Sequence, residues 1–293
     1  MDQRVMHQTA IPVIQPAVRD ASIGKLLLEQ GKITPGDAER VLRYQKDHQL
    51  RFGDAALALG LITEADIRQV LAMQFDYPYL QPDQGSFSQA LVAAYQPFSP
   101  QVEALRALRT QLVLRWFSEG RRALAVVSAA SGEGCSYLAA NLAVVFSQLG
   151  EQTLLVDANF RQPAQHRLFN LQETRGLSDI LAGRAGMEAM SRIEAFVDLT
   201  VLGAGTEPLN PQELLSRTSF ADFMQQAMQQ FDVVIVDTSP ANATSDAQTV
   251  ASRCGGALLT ARLNQTRMVD LKNLQDQLTL SGVPIVGAVL NDF

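Results

Sequence analysis

The sequence predicts an α/β fold in which helices cover a parallel sheet, preceded by a small all-helical domain. Beyond residue 100, short apolar runs alternate with helical stretches such as SYLAANLAVVFSQLG and SFADFMQQAMQQ. The runs are ALAVVSA, TLLVDA, LTVLGAG, DVVIVDT, GALLTAR and PIVGAVLN. Strands that are apolar throughout are buried on both faces, which is typical of a parallel sheet whose connecting helices cover it. A glycine-rich turn follows the first run, and an internal repeat lies before residue 80.

The composition and net charge of the chain are those of a globular protein without a disulfide framework or a membrane span. The chain has 293 residues, of which 47% are hydrophobic and 18% charged, and its net charge is −6. These values are typical of a globular protein, and the negative charge argues against nucleic acid as a partner. The two cysteines, Cys135 and Cys254, are too few for a disulfide framework. Since no apolar run approaches about 18 residues and the N-terminus lacks the signal-peptide pattern, we expect a cytoplasmic protein without a membrane span.

Four segments are predicted along the chain. Residues 1–20 are polar and contain prolines, which is typical of a flexible tail. Residues 21–80 form a helical repeat domain, because one unit of helix, glycine stop and helix occurs twice. Residues 81–100 mix Pro, Gly, Ser and Gln and are interpreted as a linker. Residues 101–293 form the α/β domain.

The two repeat units share their helix signals. The first begins at Ile23 and the second at Phe52. In each unit a threonine stands three residues before an aspartate at the start of the second helix, which is the pattern of a capping box. The matched positions are Gly24 with Gly53, Gly31 with Gly60, Thr34 with Thr63, and Asp37 with Asp66. Two such units can bury their apolar faces against each other.

The glycine-rich turn has the position of a phosphate-binding loop. It follows the first apolar run and opens the first long helix. Gly132 and Gly134 allow backbone N–H groups to turn toward an anion, and Ser136 is placed to ligate Mg²⁺. Cys135 stands where such loops carry a lysine. A glycine-rich turn without a ligand remains the alternative at this point.

Two aspartates at other strand ends support a nucleotide site. Asp157 ends the run TLLVD and Asp237 ends VVIVD. In an open parallel sheet the ligand lies beyond the carboxyl ends of the strands, so both acids are expected beside Ser136. Carboxylates there suit a magnesium–phosphate complex, although a single Asp after a strand is more often a turn residue or a helix cap.

Residues 101–293 resemble the bacterial tyrosine kinases, P-loop kinases that accompany exopolysaccharide chain-length regulators. SGEGCS resembles their Walker A loop, LLVDANFRQP their A′ motif and VVIVDTSP their Walker B motif. VEALRALRTQL resembles their oligomerisation segment, and GLSDILAGR, NPQELLS and GAVLNDF also match. With its added N-terminal domain, the pattern is most similar to the chain-length-determinant tyrosine kinases of the EpsG type. The fold implied is a P-loop NTPase-like parallel sheet flanked by helices.

The resemblance implies Mg²⁺–ATP as cofactor and transfer of the γ-phosphate to tyrosine hydroxyls. Asp157 and Asp237 are the implied catalytic residues, and Ser136 joins them as a metal ligand. The implied ATP-binding residues are Ser131, Gly132, Glu133, Gly134, Cys135, Ser136, Tyr137 and Asn291, the last of these at the adenine. The implied partners are further copies of the chain and the cytoplasmic segment of a membrane chain-length determinant protein, which would place the chain at the inner membrane.

Two departures from the family pattern predict weakened catalysis. Cys135 replaces the lysine, and Asn159 replaces the second acid of the A′ motif. Fixed charges stabilise the transition state more than the bound ground state. The two replacements are therefore expected to lower the rate of phosphate transfer more than the affinity for the nucleotide. The alternative is a catalytically inactive scaffold of the exopolysaccharide assembly machinery that responds to a nucleotide or to cyclic di-GMP. A reactive thiol at Cys135 and a MinD/ParA-like ATPase are weaker alternatives; the latter is disfavoured because Ala130 and Ser131 precede Gly132 where such loops carry an earlier lysine.

Two further segments carry expectations that depend on the resemblance. Glu103, Arg106 and Arg109 follow the E-x-x-R-x-x-R spacing that the family uses for subunit contacts; a solvated helix face is the alternative. The N-terminal repeat resembles the MshEN-type domain of secretion ATPases, which binds cyclic di-GMP. The second unit keeps the expected residues of that site at Arg51, Gly53 and Gly60, whereas the first has Ser22 in place of the arginine. A helical docking module is the alternative.

Overall fold

A computed structural model describes residues 23–64, 66–67, 70, 80 and 86–292. The chain divides into two compact units, Met1–Tyr77 and Pro78–Phe293. The predicted flexible tail over 1–20 lies outside the described residues. No described helix is both long enough and apolar enough to cross a membrane.

The described part of the first unit is helical. Its helices are α1 (Ile23–Glu29), α2 (Pro35–His48) and α3 (Phe52–Ala58). Leu27, Val41 and Ala55 are fully buried in a small common core. Both predicted capping exchanges are present: Asp37 N donates to Thr34 Oγ1 at 3.2 Å, and Asp66 N donates to Thr63 Oγ1 at 3.2 Å. Local capping thus starts α2, and the same exchange is present at Thr63 and Asp66, as the repeat predicts.

The repeated glycines have conformational and packing roles. Gly31 and Gly60 have φ of 65° and 67°, a region that side chains with a Cβ rarely adopt. A Cβ on Gly53 would lie 3.1 Å from the Ile67 side chain, so this glycine permits close helix packing. Arg51 is exposed at the start of α3. These roles account for Gly53 and Gly60 without a ligand, so the cyclic di-GMP site at Arg51, Gly53 and Gly60 stays a prediction.

The second unit is built on a seven-stranded sheet. Its strands are β1 (Ala123–Ser128), β2 (Thr153–Asp157), β3 (Ser191–Arg192), β4 (Leu199–Leu202), β5 (Val233–Asp237), β6 (Ala257–Arg262) and β7 (Ile285–Asn291). Their order is β3-β4-β2-β5-β1-β6-β7, and only β3 runs antiparallel to its neighbour. The six predicted strands are all present, so the predicted fold class is confirmed. Sequence analysis missed β3, because two residues at a sheet edge carry no periodic pattern.

Helices cover both faces of this sheet. They are α4 (Val92–Tyr95), α5 (Pro100–Arg115), α6 (Cys135–Ser147), α7 (Gln165–Leu168), α8 (Leu177–Leu181), α9 (Pro211–Ser216), α10 (Thr218–Gln230), α11 (Asp246–Cys254) and α12 (Met268–Leu280). Side chains of β1 alternate between two cores: Val127 packs with the side of α9–α12, and Leu124 and Val126 pack with the side of α5 and α6. The central strands β1, β2 and β5 are therefore buried along their whole length, as in a sheet covered on both faces.

The predicted linker over 81–100 differs from the structure. From Ser86 onward the segment belongs to the α/β unit, and Leu91, Ala93 and Tyr95 are buried in the core on the α6 side. Asn141 of α6 holds this segment: its Oδ1 accepts from Ala93 N at 2.9 Å, and its Nδ2 donates to Ala90 O at 2.9 Å. The Pro, Gly and Ser content predicted a linker, whereas the described part of the segment contains α4 and packs into the domain.

We expect Asn141→Ala to lower the free energy of unfolding of the full chain by about 2–4 kcal/mol, because it leaves the buried Ala93 N and the partly buried Ala90 O unpaired. Urea unfolding followed by circular dichroism measures this. Asn273→Ala, at an exposed asparagine of α12, is the matched control. A change within about 0.5 kcal/mol for Asn141→Ala, as expected for the control, would show that the segment is held by other contacts.

Candidate active site

The glycine-rich loop connects β1 to α6 at the carboxyl edge of the sheet. Gly132 has a φ of 82° and Gly134 a φ of 86°, so both glycines are required by the backbone. A cavity of about 270 Å³ opens at this loop. Its lining includes every loop residue predicted to bind the phosphates: Ser131, Gly132, Glu133, Gly134, Cys135, Ser136 and Tyr137.

Glu133 stabilises the loop from within. Its side chain is buried, with Oε2 accepting from Ala130 N at 3.0 Å and Oε1 accepting from Thr266 Oγ1 at 2.6 Å. Its carbonyl oxygen accepts from Asn291 Nδ2 and from Thr260 Oγ1, each at 2.8 Å. The carboxylate of Glu133, one of the loop residues predicted to bind ATP, is thus engaged by the protein itself, and Asn291 holds the loop.

Cys135 points into the protein interior. Its thiol is buried and donates to Val126 O of β1 at 3.0 Å. Burial first, and then the nearby Asp237 carboxylate, raise the pKa of this thiol well above its usual value. The reactive-thiol alternative is therefore wrong, because burial outweighs the effect of a helix N-terminus. The side chain at the lysine position supplies no positive charge to the cavity.

The two predicted strand-end acids are neighbours. Asp157 and Asp237 are opposite residues in the β2–β5 pairing, and both are fully buried. Asp157 Oδ2 accepts from Ala164 N and Gln165 N, each at 2.9 Å, and its Oδ1 accepts from Asn159 N at 3.1 Å. This carboxylate consequently fixes the start of α7 as well as facing Asp237.

Asp237 carries an unused acceptor. Its Oδ2 accepts from Gln165 Nε2 at 2.8 Å, and the neighbouring Ser136, Cys135 and Thr238 groups favour the ionised carboxylate. Its Oδ1 is buried and has no hydrogen-bond partner among the described residues, and the same holds for Gln165 Oε1. Buried polar atoms are almost always satisfied, so an orphaned carboxylate oxygen beside a serine hydroxyl fits a hydrated magnesium ion.

A complete metal site made by the protein alone is not present in the part of the chain that the structure describes, where no three His, Cys, Asp or Glu side chains converge. Mg²⁺ in nucleotide sites is commonly held by one or two protein oxygens together with phosphates and waters. Ser136 and Asp237 therefore fit such an ion, with the remaining ligands coming from the nucleotide. Asp157 lies beside them but is held by backbone amides.

Burial raises the pKa of both acids, and for Asp157 the charge of Asp237 adds to this effect. Burial first, and then the Asp237 charge, raise the pKa of Asp157 to about 7. Burial also raises the pKa of Asp237. The pair is thus partly protonated near neutral pH, and a cation bound beside it favours the ionised form.

The free energy of unfolding of the ligand-free protein should fall as the pH rises. The pKa of Asp157 is raised from its ordinary value of 3.8 to about 7 in the folded protein. Its contribution to the free energy of unfolding is therefore complete below about pH 3.8 and is lost as the pH rises through about 7. Urea unfolding of the wild type and Asp157→Asn at about pH 5 and about pH 8 tests this, with Asp222→Asn as an exposed control. Between these two pH values, Asp157→Asn should lose less stability than the wild type and Asp222→Asn. Equal losses in all three proteins would contradict the raised pKa of Asp157.

Asn159 is built into the turn after β2. Its Oδ1 accepts from Gln162 N and from Ser239 Oγ, each at 3.1 Å, and its side chain lines the cavity. A carboxylate oxygen could accept the same two bonds. The asparagine thus maintains the geometry of the loop but brings no negative charge.

A second, larger cavity adjoins the loop. It has a volume of about 940 Å³ and lies between α5 and β7. Its apolar lining includes Ala104, Leu105, Leu108, Leu138, Ala288 and Val289. Gly132, Gly134 and Tyr137 line both cavities, and Asn291 lines the larger one. An apolar space that continues into a phosphate-sized cavity suits a nucleotide, with the base in the larger part.

The three predicted oligomerisation residues do not share one exposed surface. Glu103 is exposed and forms an ion pair with Arg106. Arg109 is buried, and its guanidinium donates to Val145 O near the end of α6. Arg109 thus attaches α5 to α6 by binding a carbonyl of the last helical turn. Arg109 is engaged inside the domain and Glu103 is exposed, and the subunit contact predicted at Glu103, Arg106 and Arg109 stays a prediction.

Sequence analysis missed three polar residues of the site. Gln165 lies between the two acids, Arg167 lines the phosphate cavity, and Arg262 ends β6 with its guanidinium 3.4 Å from Gly132 O. Arg262 could have been found by the same strand-end argument that found Asp157 and Asp237. Gln165 and Arg167 lie on a four-residue helix for which the sequence has no periodic signal.

Fold and site together define a class of protein. A parallel strand leads through a glycine loop into a helix, and neighbouring strands bring two carboxylates to the same edge, which is the arrangement of P-loop NTPase-like proteins. Tyrosine-protein kinase YwqD of Bacillus subtilis (strain 168) is 33% identical to this chain over 213 residues, which are 72% of this chain and 90% of that protein. The chain belongs to the bacterial tyrosine-protein kinase family.

Solved structures agree with this assignment. The kinase domain of the Escherichia coli tyrosine kinase ETK matches with a TM-score of 0.66 and 32% identity, covering 69% of this chain and 79% of that one. The chimerical protein CapA2B2 matches with a TM-score of 0.66 and 31% identity over 78% of this chain and 98% of that one. The Mg-ADP complex of MinD from Pyrococcus horikoshii, at 22% identity and a TM-score of 0.51, shares the fold alone.

Several relatives are much longer than this chain. The chain spans 35%, 27% and 26% of the length of tyrosine-protein kinase relatives from Klebsiella pneumoniae, Ralstonia solanacearum and Acinetobacter johnsonii. No protein-family model matches the chain.

Proposed function

We propose that the α/β unit binds Mg²⁺–ATP and is a protein-tyrosine kinase homologue with weakened catalysis, acting in exopolysaccharide chain-length control and export. The observation that carries the proposal is the buried Asp237 carboxylate, which lies beside Ser136 and keeps one oxygen without a hydrogen-bond partner among the described residues. Buried charge without compensation is costly, so a site kept in this state is accounted for by a ligand. The continuous apolar and loop cavities supply room for that ligand.

Each residue has a proposed role in the transfer. The loop from Ser131 to Ser136 holds the phosphates by its backbone amides, and Asp237 with Ser136 positions the metal. Asp157, with its pKa near neutrality, is suited to accept the tyrosine hydroxyl proton while the tyrosine oxygen bonds to the γ-phosphorus and the bond to the bridging oxygen breaks. Mg²⁺ supplies neutralisation of the developing phosphate charge.

The cellular setting is proposed from the relatives. One relative from Klebsiella pneumoniae is named for the cps region, and the chimera CapA2B2 joins parts of two proteins. We infer that the chain works beside the cytoplasmic segment of a membrane chain-length protein, self-associates, and lies at the inner membrane through that partner. Glu103 is the proposed subunit contact among the three residues singled out from the sequence.

A catalytically inactive, nucleotide-dependent scaffold is the second candidate. It is favoured by the inward direction of the Cys135 thiol and by the neutral Asn159, which remove one positive and one negative charge from the transfer site. Binding would survive through the backbone amides and the metal, whereas the transition state would lose the most. None of the relatives and structures described above concerns cyclic di-GMP.

Phosphotyrosine formation separates the two candidates. The full chain is expressed with the cytoplasmic segment of a membrane chain-length determinant protein, and tyrosine phosphorylation is measured with and without the Asp157→Ala change. A weak signal that disappears with Asp157→Ala supports the kinase. A signal that is absent in the wild type, with Mg²⁺–ATP binding intact, supports the scaffold, and a signal unaffected by Asp157→Ala overturns the role of Asp157.

A further inference from the structure

The phosphate cavity lacks the cation that its loop normally provides. Cys135 occupies the lysine position, and its thiol donates to Val126 O inside the sheet. Three or four phosphate charges gathered beside two aspartates need a positive counterpart besides the metal. The cavity lining contains one basic side chain, that of Arg167.

Arg167 is held in place by the two acids themselves. It lies on α7, whose first residues are fixed because Ala164 N and Gln165 N both donate to Asp157 Oδ2 at 2.9 Å. The Gln165 side chain adds a bond of 2.8 Å to Asp237 Oδ2. A short helix is marginal by itself, but these contacts fix its position relative to the loop. Arg167 therefore stands two residues from the group that links both carboxylates.

The guanidinium of Arg167 is not used by the protein. It is exposed, and it forms no ion pair or hydrogen bond with any residue in the described ranges. The neighbouring arginines are engaged: Arg161 binds the buried Asp246 carboxylate at 3.1 Å, and Arg262 lies against the loop at Gly132 O. An unpaired arginine on the wall of an anion-sized cavity is positioned to bind an anion.

We propose that Arg167 binds the terminal phosphates of a nucleoside triphosphate and replaces the charge of the absent loop lysine. This assignment rests on the nucleotide site proposed above and adds a residue to it. Arginine suits the task because its planar fork donates two hydrogen bonds to one phosphate and keeps its charge at any working pH. The charge reaches the phosphates from α7, opposite the loop, and not from the start of α6.

Calorimetric titration of the full chain tests the proposal with two probes, Mg²⁺–ATP and adenosine. Arg167→Gln is expected to weaken Mg²⁺–ATP binding about 10- to 100-fold and to leave adenosine binding unchanged. Arg167→Lys should recover part of the loss, because it keeps the charge but not the fork. Arg253→Gln is the matched control: Arg253 is also exposed, but it lies in the last turn of α11, which precedes β6 and so faces the opposite edge of the sheet.

The outcomes distinguish this proposal from the one on which it rests. Equal Mg²⁺–ATP affinity for Arg167→Gln and the wild type overturns the role of Arg167 and leaves the nucleotide site standing. A parallel loss of adenosine binding also overturns it, because a general distortion would then be the cause. If the wild type does not bind Mg²⁺–ATP, the proposed nucleotide site is itself overturned. Melting temperatures of the ligand-free variants, expected to equal that of the wild type, show that folding is intact.

Discussion

Restoring both missing charges should raise the rate of tyrosine phosphorylation by about 10²–10³-fold. The change is Cys135→Lys together with Asn159→Asp, and the reason is that fixed charges stabilise the transition state of phosphoryl transfer more than the bound ground state. The lysine adds a cation at the start of α6, and the aspartate restores the second acid after β2. Phosphate transfer from Mg²⁺–ATP to a tyrosine peptide, measured on the full chain, gives the rate.

The structure indicates that both substitutions fit. Asn159 Oδ1 already accepts from Gln162 N and Ser239 Oγ, and a carboxylate oxygen can accept the same bonds. At position 135 the lysine stem must turn from the interior toward the cavity of about 270 Å³ that the same residue lines. Cys135→Ala with the native Asn159 is the control, because it removes the thiol without adding charge. If the double variant phosphorylated tyrosine no faster than this control, the loss of catalysis would involve more than these two charges.

Asp237→Asn should have two large effects of opposite sign. In the ligand-free protein it removes a buried carboxylate whose Oδ1 has no partner among the described residues, so stability should rise by about 1–3 kcal/mol. In the presence of Mg²⁺–ATP the stabilisation by the ligand should disappear, which at a hundredfold excess over the dissociation constant is worth about 2.7 kcal/mol. The gain should be larger at about pH 8 than at about pH 5, because the raised pKa of Asp237 leaves more charge to remove at the higher pH.

Thermal unfolding with and without Mg²⁺–ATP measures both effects on one sample. Asp222→Asn, an exposed position on α10, is the matched control and should change neither. A destabilised ligand-free protein would show that the Asp237 charge is compensated in the fold. If Mg²⁺–ATP raised the melting temperature of Asp237→Asn as much as that of the wild type, the metal would not be bound at Asp237.

The parallel sheet could be predicted from the sequence because most of its strands are short, strongly apolar runs, of which β1, β2 and β5 end in a polar residue. Asp157 and Asp237 could be predicted as neighbours for the same reason, since parallel strands bring their carboxyl ends to one edge. The two-residue β3 carries no such pattern. The attachment of residues 86–100 to the domain also escaped prediction, because it depends on one buried amide, that of Asn141, 48 residues beyond Ala93.

Side-chain direction could not be predicted. Nothing in SGEGCS shows that the Cys135 thiol faces Val126 O, or that Glu133 and Asn291 support the loop from within. The i, i+3 spacing of Arg106 and Arg109 is equally compatible with exposure and burial, and only the packing of α5 on α6 buries Arg109. Residues on short helices, such as Gln165 and Arg167, gain their roles from tertiary contacts alone.

The proposed binding of Mg²⁺–ATP at the glycine loop is tested most directly by titrating the wild-type chain with ATP in the presence and absence of Mg²⁺. The loop amides, the Ser136–Asp237 pair and a magnesium ion are predicted to bind the triphosphate with a dissociation constant below about 1 mM, and removal of Mg²⁺ should weaken that binding. Absence of binding at millimolar ATP with Mg²⁺ present, or binding that is indifferent to Mg²⁺, would contradict the account.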